Sequence, residues 1–213
     1  SPSIEYIYFC LINSQTVKKM QVVKKIKKIS LSKSFFPFWR YQFLIKSFNK
    51  KIKPYKINRE ILGVGDVVFA LCYSPEEEKF YLIKQFRPFS YVRKEKYKYE
   101  LVGGLVDKGE TITQALKREI MEEIGVKTLK LKKLTKYCPV PGYSDEIVNV
   151  YYAEVEKIKK SHLYNKFENE EIKVSKFSLS QLKKINSSEQ VQNVLTKVSI
   201  YEYLRKIKKS LRY

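Results

Sequence analysis

The segment 39–48 alternates apolar and polar side chains, which is the period of a half-buried β-strand. The apolar positions are Trp39, Tyr41, Phe43 and Ile45. A turn at residues 49–51 follows, and the composition of residues 52–61 suits a returning second strand. The pattern therefore predicts a small β subdomain, which we place at residues 37–61.

Further strands and three helices are predicted along the rest of the chain. Apolar, β-branched and aromatic runs predict strands at residues 64–73, 80–86, 97–102, 129–137, 146–155 and 172–177. Helix-forming residues and capping signals predict helices at residues 111–124, from residue 178 onward and at residues 191–210. The strand at 97–102 is expected to end at Gly103-Gly104. This order is an α+β pattern without the regular βαβ alternation of a doubly wound sheet, and we assign it to a main domain at residues 62–213.

The predicted helix at residues 111–124 carries three glutamates on one face. Glu119, Glu122 and Glu123 lie within about 100° of one another around the helix axis, and the adjoining face is apolar and suited to packing on a sheet. Carboxylates so close together repel one another, and a bound cation relieves that repulsion. Because hard oxygen ligands with room for water suit Mg²⁺ or Mn²⁺, these residues are a candidate divalent-metal site.

The net charge of the chain favours an anionic partner. Lys and Arg total 43 against 22 Asp and Glu, which gives a formal charge of +21. Nucleic acid, a membrane surface and phosphorylated small molecules all fit this charge, and scattered lysines also fit a plain compositional habit. No nucleic-acid-binding motif accompanies the lysines, so nucleic acid is the less favoured partner.

The cysteine and histidine content argues against several kinds of site. The three cysteines are far apart, with no CxxC or Cys/His cluster, which disfavours a disulfide framework or a zinc site. A reducing compartment fits best, and we expect the cytoplasm. The single histidine, His162, lies in a polar stretch and is expected at the surface, so a histidine-based nucleophilic triad would depend on it alone.

Residues 1–36 are assigned to a basic N-terminal extension whose role the sequence leaves open. The stretch VKKMQVVKKIKKISLSKS is basic, contains serine and lacks acidic residues. This composition suits a transit peptide, which would make the location organellar, and it equally suits an amphipathic surface helix or a flexible extension. The apolar run at residues 4–12 is too short to span a bilayer.

The spacing around the glutamate helix extends the argument from a metal site to a family. Five residues separate Gly104 from Glu110, and seven more separate Glu110 from Arg118. The stretch REIMEEIGV then runs from Arg118 to Val126. This arrangement resembles the Nudix box, Gx₅Ex₇REUxEExGU with U a bulky aliphatic residue, and every constrained position matches. The resemblance implies a hydrolase that cleaves a nucleoside diphosphate linked to another group. It also implies an α/β/α sandwich fold with a mixed sheet.

The resemblance further implies roles for individual residues. Metal ligation and a part in catalysis are implied for the three helix glutamates, and metal ligation for the Gly103 carbonyl just before the box. Arg118 is implied to pair with Glu110 and to hold the geometry of loop and helix for catalysis. In such a site the metal neutralises the diphosphate, polarises phosphorus and helps to make hydroxide from water.

Four stretches outside or overlapping the box are similar to the ADP-ribose pyrophosphatase branch of the family. They span residues 59–71, 82–89, 99–110 and 138–146. The second, LIKQFRPF, is similar to a V-x-Q-x-R strand with Ile83 for the usual valine, and its Arg87 is implied to contact the substrate's phosphates, which suits guanidinium geometry. In the fourth, Pro141 falls 16 residues after Gly125, the placement associated with ADP-ribose specificity in this family.

The general base in this branch usually lies on a late acidic loop outside the box. Glu170, in the stretch FENEEIKV, is our first candidate, with Glu168 and Glu171 behind it. Glu146 in the earlier loop is the rival, and it otherwise counts among the substrate-binding residues.

Adenine recognition in this branch uses aromatic side chains from an N-terminal β subdomain that is often exchanged across a dimer. Trp39 and Tyr55 are the implied counterparts, although packing within the subdomain explains them equally well. The resemblance therefore also implies a homodimer.

The resulting hypothesis is an enzyme that uses Mg²⁺, or alternatively Mn²⁺, to hydrolyse the diphosphate of ADP-ribose or a related ADP-sugar to AMP and a sugar phosphate. The same chemistry would serve a UDP-sugar or an oxidised nucleoside diphosphate. A separate alternative is an RNA 5′-end hydrolase or RNA-associated Nudix protein, for which a steep salt dependence of RNA affinity would be the sign.

Overall fold

A computed structural model describes residues 24–32, 34–165 and 169–210. The chain divides into two compact units. The first comprises the chain up to Gly65 together with Val140–Glu146, and the second comprises Asp66–Pro139 and the chain from Ile147 onward.

The first unit contains a three-stranded antiparallel sheet. Its strands, in spatial order, are β1 (Lys24–Ser32), β2 (Phe38–Ile45) and β3 (Tyr55–Leu62). The hairpin of β2 and β3 runs in unbroken register from the Phe38–Leu62 pair to the Ile45–Tyr55 pair. The strands predicted within residues 39–61 correspond to β2 and β3.

The strand β1 was not predicted, because its residues were assigned to the N-terminal extension. Its pairing with β2 shifts register between Lys25 and Lys27 and again between Ser30 and Ser32. Each such β-bulge interrupts the two-residue alternation from which a strand is recognised in a sequence. The lysines of β1 also suit an edge strand, where charge discourages pairing with other chains.

The second unit is built on a mixed seven-stranded sheet. Six strands lie in the order β7, β8, β4, β5, β10, β9, and β6 pairs with β4. The β4–β8 pair is parallel and the other pairs are antiparallel. The strand bounds are β4 Asp66–Ser74, β5 Lys79–Lys84, β6 Val102–Leu105, β7 Thr128–Tyr137, β8 Ile147–Val155, β9 His162–Asn165 and β10 Glu170–Phe177.

Helices cover both faces of this sheet. They are α1 (Pro88–Arg93), α2 (Ile112–Ile124), α3 (Leu179–Asn186) and α4 (Val194–Ser210). Val68 and Ala70 of β4 belong to the buried cluster that includes the apolar face of α2. On the opposite face, Tyr152 of β8 stacks on Tyr73 of β4 and on Tyr203 of α4. The predicted α+β class and α/β/α sandwich are therefore confirmed. Among the described helices, none has both the length and the apolar character to cross a membrane.

The strand predicted at residues 97–102 is wrong in position. Glu100 forms an isolated bridge with Ile83, with two backbone hydrogen bonds of 2.9 Å, and the strand β6 begins only at Val102. Gly103 and Gly104, expected to end the strand, lie inside it. The strand β9 was not predicted, because its four residues are too few and too polar to show a pattern.

Candidate active site

The helix α2 is held at both ends and along one side. Thr111 caps its N-terminus in a capping box with Gln114, as expected for a stable start. At the other end, the N–H of Gly125 donates to the Met121 carbonyl at 3.0 Å. Its apolar side chains Leu116, Ile120 and Ile124 are buried in the core. These anchors fix the direction in which the acidic face points.

Arg118 lies at the centre of the carboxylates of α2 and the preceding loop. Its guanidinium donates to both carboxylate oxygens of Glu110, at 3.0 and 2.9 Å, and to the Leu105 carbonyl at 3.0 Å. Its Nη1 donates to Glu119 at 2.7 Å and to Glu122 at 3.2 Å. The hydrogen bond from Arg118 lowers the pKa of Glu110 below its usual value. The Glu110–Arg118 pair implied by the resemblance is therefore present and ties the loop to the helix.

Glu123 is a buried carboxylate, with 5% of its surface exposed. It accepts a hydrogen bond of 2.8 Å from the Gly103 N–H. Burial raises the pKa of Glu123 well above its usual value, and the charges of Glu119 and Glu170 raise it further, against the opposing effects of Gly103 and Arg87. A cation close to this group would therefore favour its charged form.

The backbone at Gly104 lies directly against the Glu119 carboxylate. A Cβ atom built at Gly104 would lie 2.5 Å from Glu119 Oε1, so a side chain at this position would push the carboxylate away. The Gly104 position of the motif is thereby explained by close approach of backbone and acid.

Arg87 is held by a second buried acid. Its Nε and Nη2 both lie 2.9 Å from Oε2 of Glu100, which is 7% exposed. Burial lowers the pKa of Arg87, but the charge and hydrogen bond of Glu100 and the charges of Glu123 and Glu170 raise it above its usual value. The guanidinium thus stays charged beside the acidic cluster.

Gln85 connects these groups and was missed by the sequence reasoning, which singled out only Arg87 in the same stretch. In one orientation its amide donates to Glu123 Oε1 at 3.5 Å. In the flipped orientation, which satisfies its neighbours better, its nitrogen donates to Glu170 Oε2 at 3.3 Å and its oxygen accepts from Arg87 Nη2 at 2.7 Å. The available signal was its two-residue spacing from Ile83 and from Arg87, which puts the three side chains on one side of an extended segment.

Two cavities adjoin Arg87. One, of about 480 Å³, is lined by apolar side chains such as Phe89, by the charged Lys98 and Glu100, and by residues 192–195 around the start of α4. The other, of about 740 Å³, is lined by Gln85, Glu170 and a set of aromatic and basic residues. Because Arg87 lines both, an extended anionic ligand on this arginine would have room on either side.

Several predicted site residues belong to the first unit, whereas the acidic helix belongs to the second. The ammonium of Lys28 lies over the Trp39 ring, 3.6 Å from the ring centroid. Tyr55 is 47% exposed. Glu146, whose pKa is raised by burial, belongs to the short segment that completes this unit. Glu168 lies outside the described residues, and Glu171 is exposed and lines the larger cavity.

The acidic side chains on α2 are oxygen donors of the kind that bind a divalent metal. In the part of the chain that the structure describes, no three acidic, histidine or cysteine side chains stand together as a ready metal site. As placed, Glu119 and Glu122 share Nη1 of Arg118, and Glu123 faces the Gly103 N–H. The chemistry of the donors nevertheless fits, since all are hard oxygen groups and a cation beside the buried Glu123 would favour its charged form.

Comparison with known proteins agrees with this geometry. The NUDIX domain family matches residues 64–197. An ADP-ribose pyrophosphatase of Bacillus subtilis (strain 168) is 33% identical over 150 residues, covering 69% of this chain and 76% of that protein. An ADP-ribose pyrophosphatase of Escherichia coli (strain K12) is 28% identical over 161 residues, covering 75% of this chain and 77% of that protein.

A solved structure, described as that of an ADP compounds hydrolase, shares the fold. It superimposes with a TM-score of 0.68 at 16% sequence identity, covering 91% of this chain and 98% of that one. The family match covers more than half of the chain and contains the loop, the acidic helix and Arg87. The chain therefore belongs to the Nudix family and is a hydrolase of that family.

Proposed function

We propose that this enzyme catalyses the Mg²⁺-dependent hydrolysis of the diphosphate bond of ADP-ribose, or of a related ADP-sugar, to AMP and a sugar phosphate. The observation that carries the proposal is the buried amide of Gln85, which in its flipped orientation joins Arg87 to Glu170 and which lies 3.5 Å from Glu123 Oε1. A cation suited to phosphate is thereby held close to the acidic helix. The names of the two bacterial relatives support ADP-ribose as the substrate.

The residues that would hold the metal are the three helix glutamates and the Gly103 carbonyl. A divalent ion, when bound, neutralises diphosphate oxygens and makes a bound water more acidic. Other residues of the enzyme position these glutamates. Arg118 holds Glu119 and Glu122 in position, and the Gly103 N–H orients Glu123.

Arg87 is proposed to bind the diphosphate. A guanidinium presents paired N–H donors that match phosphate oxygens, and 39% of the Arg87 side chain is exposed for such contact. Glu100 holds it from the protein side, so little side-chain freedom is lost when the substrate binds.

Glu170 is proposed as the general base that takes a proton from the attacking water. It lies at the start of β10, lines the larger cavity and couples electrostatically to Arg87 and Glu123. The flipped amide of Gln85 donates to its carboxylate, which would orient it. Glu146 remains the rival for this role.

Trp39 and Tyr55 remain our proposal for stacking on adenine, with a homodimer bringing them to the site. Light scattering coupled to gel filtration would test the dimer. The separated cysteines keep the cytoplasm as the proposed location.

Replacing Arg87 with alanine is expected to raise KM for ADP-ribose about tenfold to a hundredfold, because charge-assisted hydrogen bonds to phosphate are lost. Initial rates over a range of ADP-ribose concentrations measure this. Because the change also removes the ion-pair partner of the buried Glu100, the double variant Arg87→Ala/Glu100→Gln should be measured with it. Arg93→Ala, an exposed change in α1, is the control. An unchanged KM in both Arg87 variants would contradict phosphate binding.

Replacing Glu170 with glutamine is expected to lower kcat about a hundredfold or more with little change in KM, as for loss of a general base. The neighbouring Glu171→Gln removes the same charge from an exposed site and is expected to keep kcat within about twofold of the unaltered enzyme. If Glu171→Gln or Glu146→Gln shows the large loss instead, the base is assigned to that residue.

The substrate is tested with ADP-ribose, ADP-mannose, UDP-glucose, GDP-mannose and an oxidised nucleoside diphosphate, each with Mg²⁺ or Mn²⁺, and with products resolved by chromatography. We expect the highest kcat/KM for ADP-ribose with Mg²⁺, with AMP and ribose 5-phosphate as products. A higher value for a UDP- or GDP-sugar would overturn the substrate assignment while leaving the reaction class intact.

A further inference from the structure

A row of basic side chains crosses three adjacent strands of the main sheet. Lys84 of β5 is directly opposite Lys173 of β10, and Lys173 is directly opposite His162 of β9. Residues paired in this way on antiparallel strands project from the same face with Cβ atoms about 5 Å apart. The three strands thus place two lysines and one histidine side by side on one face of the sheet.

This arrangement is electrostatically unfavourable without an anion. Like charges directly opposite each other destabilise a sheet. Among the described residues, neither Lys84 nor Lys173 forms an ion pair with a carboxylate, and the ammonium of Lys84 lies over the Tyr99 ring, 4.0 Å from its centroid. Protection of a sheet edge by lysine explains residues on an outer strand, but β5 lies between β4 and β10 in the interior of the sheet.

All three residues line the 740 Å³ cavity that also contains Arg87 and Glu170. Exposed aromatic rings of Phe86, Tyr97 and Tyr164 line the same cavity. Of the two acidic residues that line it, Glu170 is the proposed base, and Glu171 is paired across the strands with Tyr164 and not with a lysine. The row is therefore a positive side of the cavity that Arg87 also lines, and it lies on the sheet face opposite to the one where Ile83 and Ile172 pack with α2.

We propose that this row, Lys84–Lys173–His162, binds a second anionic group of the substrate, a phosphate carried by the sugar beyond the diphosphate. The inference rests on the proposed function, since it uses the same cavity and substrate. Lysine ammonium groups and an imidazole N–H are suitable donors to phosphate oxygens. The preferred substrate class is then a nucleoside diphosphate whose sugar bears a phosphomonoester.

The first test compares ADP-ribose with ADP-ribose phosphorylated on its terminal ribose. We expect the unaltered enzyme to show about a tenfold higher kcat/KM for the phosphorylated compound, and this ratio to fall to about one in Lys84→Gln/Lys173→Gln. Lys133→Gln, which removes an exposed lysine of β7, is the control and should keep the ratio. No preference in the unaltered enzyme, or a preference retained in the double variant, would overturn the inference.

A second measurement separates this inference from the proposed function. The chain has one histidine, so its imidazole proton NMR signals report on His162 alone. Titration with inorganic phosphate at constant pH and ionic strength should shift these signals saturably in the unaltered enzyme and in Lys133→Gln, but not in the double variant.

The two measurements together separate the possible failures. If no nucleoside diphosphate is cleaved but the signals respond as expected, the proposed function fails and the anion site stands. If the His162 signals respond saturably but the enzyme does not prefer phosphorylated ADP-ribose, the row binds free phosphate. That result would overturn its assignment to the substrate.

Discussion

Replacing Glu122 with glutamine is expected to lower kcat about a thousandfold, an effect of several kcal/mol on the transition state, while the chain stays folded. The side chain is 38% exposed, and its partner Arg118 keeps its contacts with Glu110, Glu119 and Leu105. Glutamine has nearly the same shape but lacks the negative charge that a divalent metal needs. The loss should therefore fall on turnover and not on folding.

The measurement is AMP release from ADP-ribose at saturating Mg²⁺, together with a thermal melt. Glu189→Gln, an exposed change between α3 and α4, is the matched control and should behave as the unaltered enzyme. A near-normal rate for Glu122→Gln would remove this residue from the metal site. A large fall in melting temperature would show that its role is structural.

Replacing Gly103 with alanine is expected to destabilise the fold by roughly 3–5 kcal/mol, at the upper end for a single substitution. Gly103 has φ +150°, and a Cβ atom there would lie 2.0 Å from the Val68 carbonyl oxygen and 2.8 Å from the Phe69 Cα. Both are backbone atoms of the central strand β4, so they cannot move aside without breaking the sheet. The change also disturbs the N–H that orients Glu123.

Urea unfolding followed by circular dichroism gives this free energy directly. The control is Gly142→Ala, where a Cβ atom would meet nothing within 4 Å and the backbone is unstrained. It should be neutral or slightly stabilising. If Gly103→Ala unfolds at the same urea concentration as the control, the close approach of β6 to β4 is not the constraint on this residue.

The acidic helix was predictable because its signals are local. Its capping residue, apolar stripe and glutamate spacing all fall within one short stretch, and helical periodicity translates them directly into faces. The strand β6 was misplaced for the opposite reason. The fit of Gly103 and Gly104 inside a strand depends on β4 and Glu119, which are distant in sequence and whose close approach leaves no room for a side chain.

Gln85 shows the same limit at the candidate site. Its place near Glu123, Glu170 and Arg87 requires the end of β5 to lie close to α2 and β10. The sequence around Gln85 carries no information about the position of α2 or β10. The row Lys84–Lys173–His162 also arises only from strand register, which joins residues far apart in the chain.

By itself the sequence determined the family, the reaction class, the acidic helix and most strands, because short-range periodicity and a fixed-spacing motif encode them. Tertiary structure alone decided which buried groups share a charge environment. Only there did Glu123 gain a raised pKa, Arg87 gain Glu100 as a partner, and two lysines come to lie side by side. The physical reason is that burial and electrostatic coupling depend on distance in space, which the fold sets and sequence separation does not.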